Sequence, residues 1–454
     1  MGHPPELIFV AAFRQPPLSS SQVSAFEDEL NGRLEAIREQ GLYRELRRVE
    51  SPQGPRIKVA GRELVNFSSN DYLGLANHAA LKEAARRAVE KFGAGAGASR
   101  LICGSLSPYH ELEETLAAFK GTPAALTFAT GSAAALGTIP ALVGRSDVIV
   151  TDKLVHACIV DAARLSGAQI QVFAHNDLND LESILRSAKK TRNSELGTRN
   201  STQTLIVTES VFSMDGDHAP LREIVTLKEK YGAWLMVDEA HATGLYGANR
   251  HGLTEELGVS DRIEIQMGTL GKALGASGGY ICGSRALIDL LINRARSFIF
   301  STAPVPAAAA AAKAGIELVQ SPGGAARVQE LWQRVADFRT GVAPVSNFLP
   351  KAEDGNKRDA CPTPSAILPL IIGDEPAAVS TATRLRELGI FVPAIRYPTV
   401  ARGSARLRIT LTAAHSAEDV RALARALDAI RSTQHLVHGE LPMANSRWPR
   451  TNSR

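Results

Sequence analysis

The feature that most constrains this chain is a series of short apolar segments, separated by helix-like stretches, between residues 124 and 267. Segments 124–128, 148–151, 170–173, 204–208, 234–237 and 263–267 are too short for core helices and too evenly apolar for strands with one wet face. Several lead through Gly or Ser into helical patterns, at 131–142, 155–165 and 221–231, and two more helical runs, 79–92 and 109–119, precede them. Strands buried on both faces and joined by helical crossovers make a parallel sheet with helices on each side. The expectation is an α/β fold with a mostly parallel central sheet flanked by helices.

The flanks of this unit read differently. Residues 1–25 mix Pro and Ser without periodicity and read as a disordered extension, and 26–65 as a helix (26–48, with Leu30, Leu34, Ile37 and Leu42 on one side) plus a connecting segment. The large domain spans 66–320. At Ser321 the chain turns polar and Gly-rich, which marks a boundary to a smaller α+β domain, 321–432, with helices at 328–349, 377–388 and 417–430 and strands at 365–372 and 405–411. Residues 433–454 read as a disordered tail.

Composition removes several function classes. Lys and Arg number 51 against 47 acids, a formal charge of +4 spread over 454 residues, which argues against nucleic acid as the main partner. Cys103, Cys158, Cys282 and Cys361 lie far apart with no CxxC pattern, so neither a metal site nor a disulfide framework is expected. The longest uncharged stretch, 121–144, contains four threonines and two prolines and reads as buried core, not as a membrane span. The apolar run at 7–13 follows Glu6 and lacks a basic leader. The expected setting is the cytoplasm.

The chemistry should sit beyond the carboxyl ends of the strands, where open α/β sheets bind ligands. Strand 234–237 ends in Asp238-Glu-Ala-His241. The letters match DEAH helicases, but a nucleotide motor also needs a phosphate loop with Lys-Ser or Lys-Thr, and Gly268-Thr-Leu-Gly-Lys272-Ala273 has neither the spacing nor the hydroxyl. A plain helix cap by Asp238 is the bland alternative. Lys272 follows strand 263–267 among small residues; it is either a solvated surface lysine or a desolvated amine suited to a Schiff base. With a carboxylate 34 positions earlier, also at a strand end, the two look like a pyridoxal phosphate pair: lysine on the aldehyde, aspartate on the pyridine nitrogen. Gly131 and Ser132 open a helix whose free N–H groups suit a phosphate. His156, also at a helix start, is structural, or stacks on a flat ring or moves protons. Gly93-Ala-Gly-Ala-Gly97 follows a helix, so a dinucleotide-binding loop fails on context.

The letters around these positions carry a family resemblance. Asn66-Phe-Ser-Ser-Asn70-Asp-Tyr-Leu-Gly-Leu75, Thr208-Glu-Ser-Val-Phe-Ser213-Met-Asp-Gly216, Val237-Asp-Glu-Ala-His241, Thr269-Leu-Gly-Lys272 and Ser301-Thr302 resemble the α-oxoamine synthases, over roughly residues 33–431. These are pyridoxal-phosphate acyltransferases of the aspartate-aminotransferase fold type (fold type I) that join an amino acid to an acyl thioester with loss of carbon dioxide. Phe173-Ala-His-Asn-Asp177, Ala394-Ile-Arg396-Tyr-Pro-Thr399-Val and Ala405-Arg-Leu-Arg-Ile-Thr-Leu-Thr-Ala-Ala-His415 are similar to the branch that uses L-alanine and a pimeloyl thioester, on coenzyme A or acyl carrier protein, in biotin biosynthesis. Sister enzymes that use glycine are the nearest alternative.

The resemblance implies a role for each matched residue. Lys272 is the Schiff-base lysine, Asp238 the pyridinium partner, and His156 the imidazole that stacks on the cofactor ring. Ser213 and His241 lie near the cofactor's phenolic oxygen, and Thr269 with the Gly131–Ser132 turn near its phosphate. Ser301 and Thr302 reach the phosphate of a neighbouring subunit, which implies a homodimer with shared sites. Arg47, Asn70 and Thr399 match substrate-binding positions. One departure stands out: Ser132 replaces the aromatic residue common after that glycine.

Overall fold

The computed structural model describes residues 22–194, 202–341 and 364–437. The expected strand run is present as β3 to β8, preceded by a hairpin of Arg56–Val59 (β1) and Arg62–Asn66 (β2). Ala124–Phe128 (β3), Val148–Asp152 (β4), Gln169–Phe173 (β5), Thr204–Glu209 (β6), Trp234–Asp238 (β7) and Ile265–Thr269 (β8) enter one seven-stranded sheet. Its order is β3-β9-β8-β7-β6-β4-β5, where β9 is Gly279–Gly283. All neighbours are parallel except β9, which runs against both β3 and β8. β9 was not foreseen from sequence, because a five-residue run bracketed by glycines carries little periodicity.

The helices that cover this sheet are α2 (Ala79–Phe92), α3 (Ser107–Lys120), α4 (Gly131–Leu142), α5 (Ala157–Ser166), α6 (Leu178–Ser194) and α7 (Leu221–Tyr231), after an exposed α1 (Gln22–Glu39). Alternate strand residues feed two separate cores. Leu205, Val207, Met236, Ile265 and Met267 pack with Ala134, Ile139 and Ile159 of α4 and α5. Ile206, Leu235 and Val237 face the opposite core with Leu221 and Ile224 of α7. Strands buried on both sides in this way explain the even apolar pattern in the sequence.

Toward the C-terminus, Ile367–Gly373 (β10), Ala394–Ile395 (β12) and Ala405–Thr410 (β13) form a three-stranded antiparallel sheet in the order β10-β13-β12. Ile390–Phe391 (β11) joins the first hairpin instead, parallel to β2, and so ties the two ends of the chain together. Phe67 stacks on His415 across the same junction, with ring centroids 4.3 Å apart.

Three boundaries differ from the sequence reading. α1 ends at Glu39, not at 48, because Gly41 takes a positive φ of 66° and Leu42 and Gly41 donate back to Ile37 and Arg38, a Schellman stop. Ser321 to Gly324 is a helix start, with Pro322 opening Pro322–Gly341 and the Ser321 hydroxyl accepting from the Gly324 N–H. The last helix, Ala417–Val437, runs past 433. Residues 1–21, 342–363 and 438–454, including Cys361 and most of both expected disordered ends, lie outside the described residues.

Candidate active site

Strand alternation gathers the site. The face of β6, β7 and β8 that carries Val207, Met236 and Met267 packs on α4 and α5. Two residues further on, the same period turns Glu209, Asp238 and Thr269 toward that side at the carboxyl ends of the strands. The N-termini of α4 and α5 open there, carrying Gly131 with Ser132 and His156.

Each helix start is held by a short-range cap. The Thr130 hydroxyl accepts from the Ala133 N–H at 3.0 Å, while the N–H groups of Gly131 and Ser132 have no acceptor among the described residues. A Cβ on Gly131 would meet nothing closer than Thr269, at 3.8 Å, so the space above the turn is open. His156 caps α5 by accepting from the Cys158 N–H through Nδ1 at 3.2 Å. That contact leaves the ring exposed, with Nε2 available to a substrate.

The lysine turn is built from glycine and backbone hydrogen bonds. Leu270 donates to Gly278, Ala276 to Leu270 and Gly275 to Lys272. Gly275 has a φ of 67°, and a Cβ there would come within 2.6 Å of Leu75, so the tight turn packs directly on the Leu75 segment. Thr269 donates to Gly278 at 2.9 Å and accepts from Gly271, so its hydroxyl serves the turn itself. Burial pushes the Lys272 ammonium below its ordinary range, and Asp238 partly opposes this. Asp238 is buried; its Oδ1 accepts from the Ala240 N–H at 2.9 Å. The helix-cap reading thus accounts for one carboxylate oxygen and leaves the other.

A second cluster, which the sequence reading only partly foresaw, lies beside this turn. Arg408 of β13 is buried and donates to the Ser213 carbonyl at 2.5 Å, to Asn70 Oδ1 at 3.1 Å and to Thr410 Oγ1 at 2.9 Å. Its Nη2 is buried without a partner among the described residues. Tyr72 binds His241 Nδ1 at 2.6 Å. Burial, reinforced by Lys272 and Arg408, holds His241 well below the usual histidine range, so its ring is neutral. Arg408, Tyr72 and Glu209 were missed from sequence. The available signal was Arg406 and Arg408 inside a fully buried strand, since buried arginines need partners.

The remaining expected residues are less central. Arg47 and Thr399 are exposed, and Arg396 links their segments by donating to the carbonyls of Gly41 and Tyr43. Thr302 is exposed and bridges to Ser99. The Glu of the DEAH letters, Glu239, is locked in a fully buried ion pair with Lys120 at 2.5 Å and accepts from Thr254.

A family model for aminotransferases of class I and II matches residues 62–427. The chain belongs to the class I and II aminotransferase family. Within this aminotransferase family, the 8-amino-7-oxononanoate synthase of Geobacter sulfurreducens is 48% identical over 389 residues, 86% of this chain and 94% of its own. The enzyme of that name from Herminiimonas arsenicoxydans is 44% identical over 406 residues, covering 88% and 99%. Among solved structures, a serine palmitoyltransferase from S. paucimobilis with bound PLP-myriocin aldimine superposes with a TM-score of 0.80 at 26% identity, over 92% of this chain and all of that one. An 8-amino-7-oxononanoate synthase from Francisella tularensis gives 0.65 at 25% identity, over 82% and 99%.

The cofactor of this aminotransferase family is pyridoxal 5'-phosphate (PLP), and the residues present fit it. A phosphate needs N–H donors, and the open α4 turn offers two without acceptors. A ring nitrogen needs a carboxylate, and Asp238 keeps one oxygen unengaged. An aldehyde needs an unprotonated amine, and Lys272 is pushed that way by burial.

Proposed function

We propose that the chain joins L-alanine to a pimeloyl thioester, giving 8-amino-7-oxononanoate, carbon dioxide and free thiol. The observation that carries this reading is 48% identity to a synthase of that name along nearly its full length. The serine palmitoyltransferase superposes better but at 26% identity, which speaks for shared fold and cofactor more than for shared substrate.

Bound PLP supplies an electron sink for bond cleavage at the α-carbon of the amino acid. Lys272 would hold its aldehyde carbon, Asp238 its ring nitrogen, and the N–H groups of Gly131 and Ser132 its phosphate. His156 would cover the ring, and the neutral His241, oriented by Tyr72, would meet the phenolic oxygen. The unpartnered Nη2 of Arg408 takes the carboxylate of the amino acid, helped by Asn70. With the amino acid bound, the Lys272 amine would take the α-proton. The α-carbon then bonds to the acyl carbon, the thiol leaves with a proton, and carbon dioxide leaves from the carboxylate. The proton taken by Lys272 would leave with the thiol, and a second proton, drawn from water through His156 or Lys272, would go to the α-carbon that carbon dioxide has left.

Arg47 and Thr399 lie on segments joined by Arg396 and are placed to meet the acyl donor, carried by coenzyme A or by acyl carrier protein. The active unit is a homodimer, supported by the exposed Leu101, Ile102 and Phe300 around the Ser99–Thr302 bridge. Free Cys103, Cys158 and Cys282 suit a cytoplasmic setting. No helix among the described residues is long and apolar enough to cross a membrane.

The test is a panel of L-alanine, glycine and L-serine with pimeloyl-coenzyme A or the pimeloyl carrier protein, read by product mass. L-alanine should give the highest kcat/KM. Turnover of glycine or serine without alanine would refute the substrate assignment.

A further inference from the structure

One buried acid has no part in the chemistry assigned so far. Glu209 ends β6, is 2% exposed, and lies directly opposite Asp238 in the parallel pairing of β6 with β7. The same strand period turns both side chains toward α4 and α5. Glu209 Oε1 is buried with no hydrogen-bond partner among the described residues. The charged and titratable groups around it come from each neighbouring element: Asp238 on β7, Lys272 after β8, and His156 and Cys158 at the start of α5.

Two adjacent carboxylates away from water cannot both hold charge at ordinary pH, and the proton goes to the one with less support. Burial raises Asp238 as well, but the Lys272 charge and the Ala240 N–H, at 2.9 Å, oppose it. Glu209 has the unpartnered oxygen. Burial, and then the Asp238 charge, push Glu209 up to about 8, against Lys272 and the backbone N–H groups of His156 and Ser213. The need is sharper when Lys272 holds the cofactor, because its ammonium then no longer balances a second negative charge.

We propose that Glu209 is a positioning residue that carries the proton of this carboxyl pair, so that one negative charge, on Asp238, faces the ring nitrogen of the cofactor. The inference rests on the cofactor site assigned above. It makes Glu209 a neutral hydrogen-bonding group whose shape, and not whose charge, is used near neutral pH.

Glu209→Gln keeps that shape without a titrating proton. In the PLP-loaded protein at pH 7 it should bind PLP within about threefold of the parent and show the same visible band, whereas Asp238→Asn should lose both. Between pH 6 and 10 the parent band should titrate at or above pH 8, and the Glu209→Gln band should lack that step. A tenfold or larger loss of PLP affinity in Glu209→Gln at pH 7, or a pH profile identical to the parent, overturns the proposal. If the variant does not fold, infrared spectra of parent protein labelled with 13C at the glutamate side-chain carboxyl decide the matter. A protonated carboxyl band at pH 7 that disappears at pH 10 supports it, and the absence of such a band overturns it. Parent protein that takes up no PLP at any pH overturns the cofactor site and this inference together, an outcome separate from the first two.

Discussion

In the proposed mechanism Lys272 is neutral and Asp238 charged. Burial disfavours the charged form of both, which helps the amine and is opposed at Asp238 by Lys272 and the Ala240 N–H. The amine loses its proton more readily because burial disfavours the ammonium. Lys272→Ala should therefore abolish turnover and the visible absorbance of the PLP-loaded protein; alanine-dependent condensation surviving in that variant would disprove the role of the lysine. Arg408 calls for a different readout. Arg408→Lys keeps a charge but loses the fork that spans Ser213, Asn70 and the unpartnered Nη2. The KM for L-alanine should rise at least tenfold, about 1.4 kcal/mol or more, with PLP affinity changed far less; an unaltered KM would place the carboxylate elsewhere. Both residues bear on what the sequence could reveal. Lys272 and Asp238 were legible because each follows its own strand, so local pattern located them. Arg408 was not, because its partners lie 195 and 338 positions away and only the folded chain brings them together.

At the level of elements, close backbone approach sets the site. β9, the strand that sequence periodicity passed over, starts at Gly279, where a Cβ would lie 2.6 Å from the Gly131 N–H nitrogen at the phosphate turn. Gly279→Ala should cost about 1–3 kcal/mol through overpacking and weaken PLP binding. Gly144→Ala, with nothing within 4 Å, should stay within about 0.5 kcal/mol of the parent by thermal unfolding. Equal effects of the two substitutions would deny the close approach. A second link joins β4, β5 and the loop after β6: His175 sits between Asp152, 2.9 Å from Nδ1, and Asp217, 2.7 Å from Nε2. Burial alone would lower its pKa, but the two carboxylates outweigh that and raise it to about 9. A folded pKa above the unfolded value of about 6.5 means stability fully present below pH 6.5 and lost as the pH rises through 9. Against His175→Gln, the parent should be about 2 kcal/mol more stable at pH 6, after allowance for solvent screening. That margin should shrink by pH 10; a constant margin would mean that ring shape alone matters. The motif Phe173 to Asp177 was visible in the sequence, yet its clamp was not, since Asp152 and Asp217 belong to other elements.

For the whole molecule, the question is what Thr302 contacts. The apolar strands alternating with helices made most of the sheet legible, because burial on both faces leaves its mark on β3, β4, β6 and β7, but contacts between subunits leave none. Within one chain Thr302 is exposed and bridges to Ser99, beside Ile102 at 80% exposure and Phe300 at 71%. Apolar side chains clustered at a loop junction mark an interaction surface, and a partner seated there would bring its own Thr302 toward a site not in its own chain. Complementation separates the two arrangements. Lys272→Ala and Thr302→Ala proteins are unfolded and refolded together, so that mixed dimers form. If Thr302 serves the partner, each mixed dimer holds one site with an intact Lys272 from one chain and an intact Thr302 from the other. Activity should then exceed the mean of the two parent preparations. If Thr302 serves its own chain, the only lysine-bearing site still lacks its threonine, and mixing should yield no gain. Ile102→Glu is the companion measurement: it should shift the protein toward monomer in sedimentation and weaken PLP binding at least tenfold, while a dimer that persists with full cofactor affinity would place the interface elsewhere.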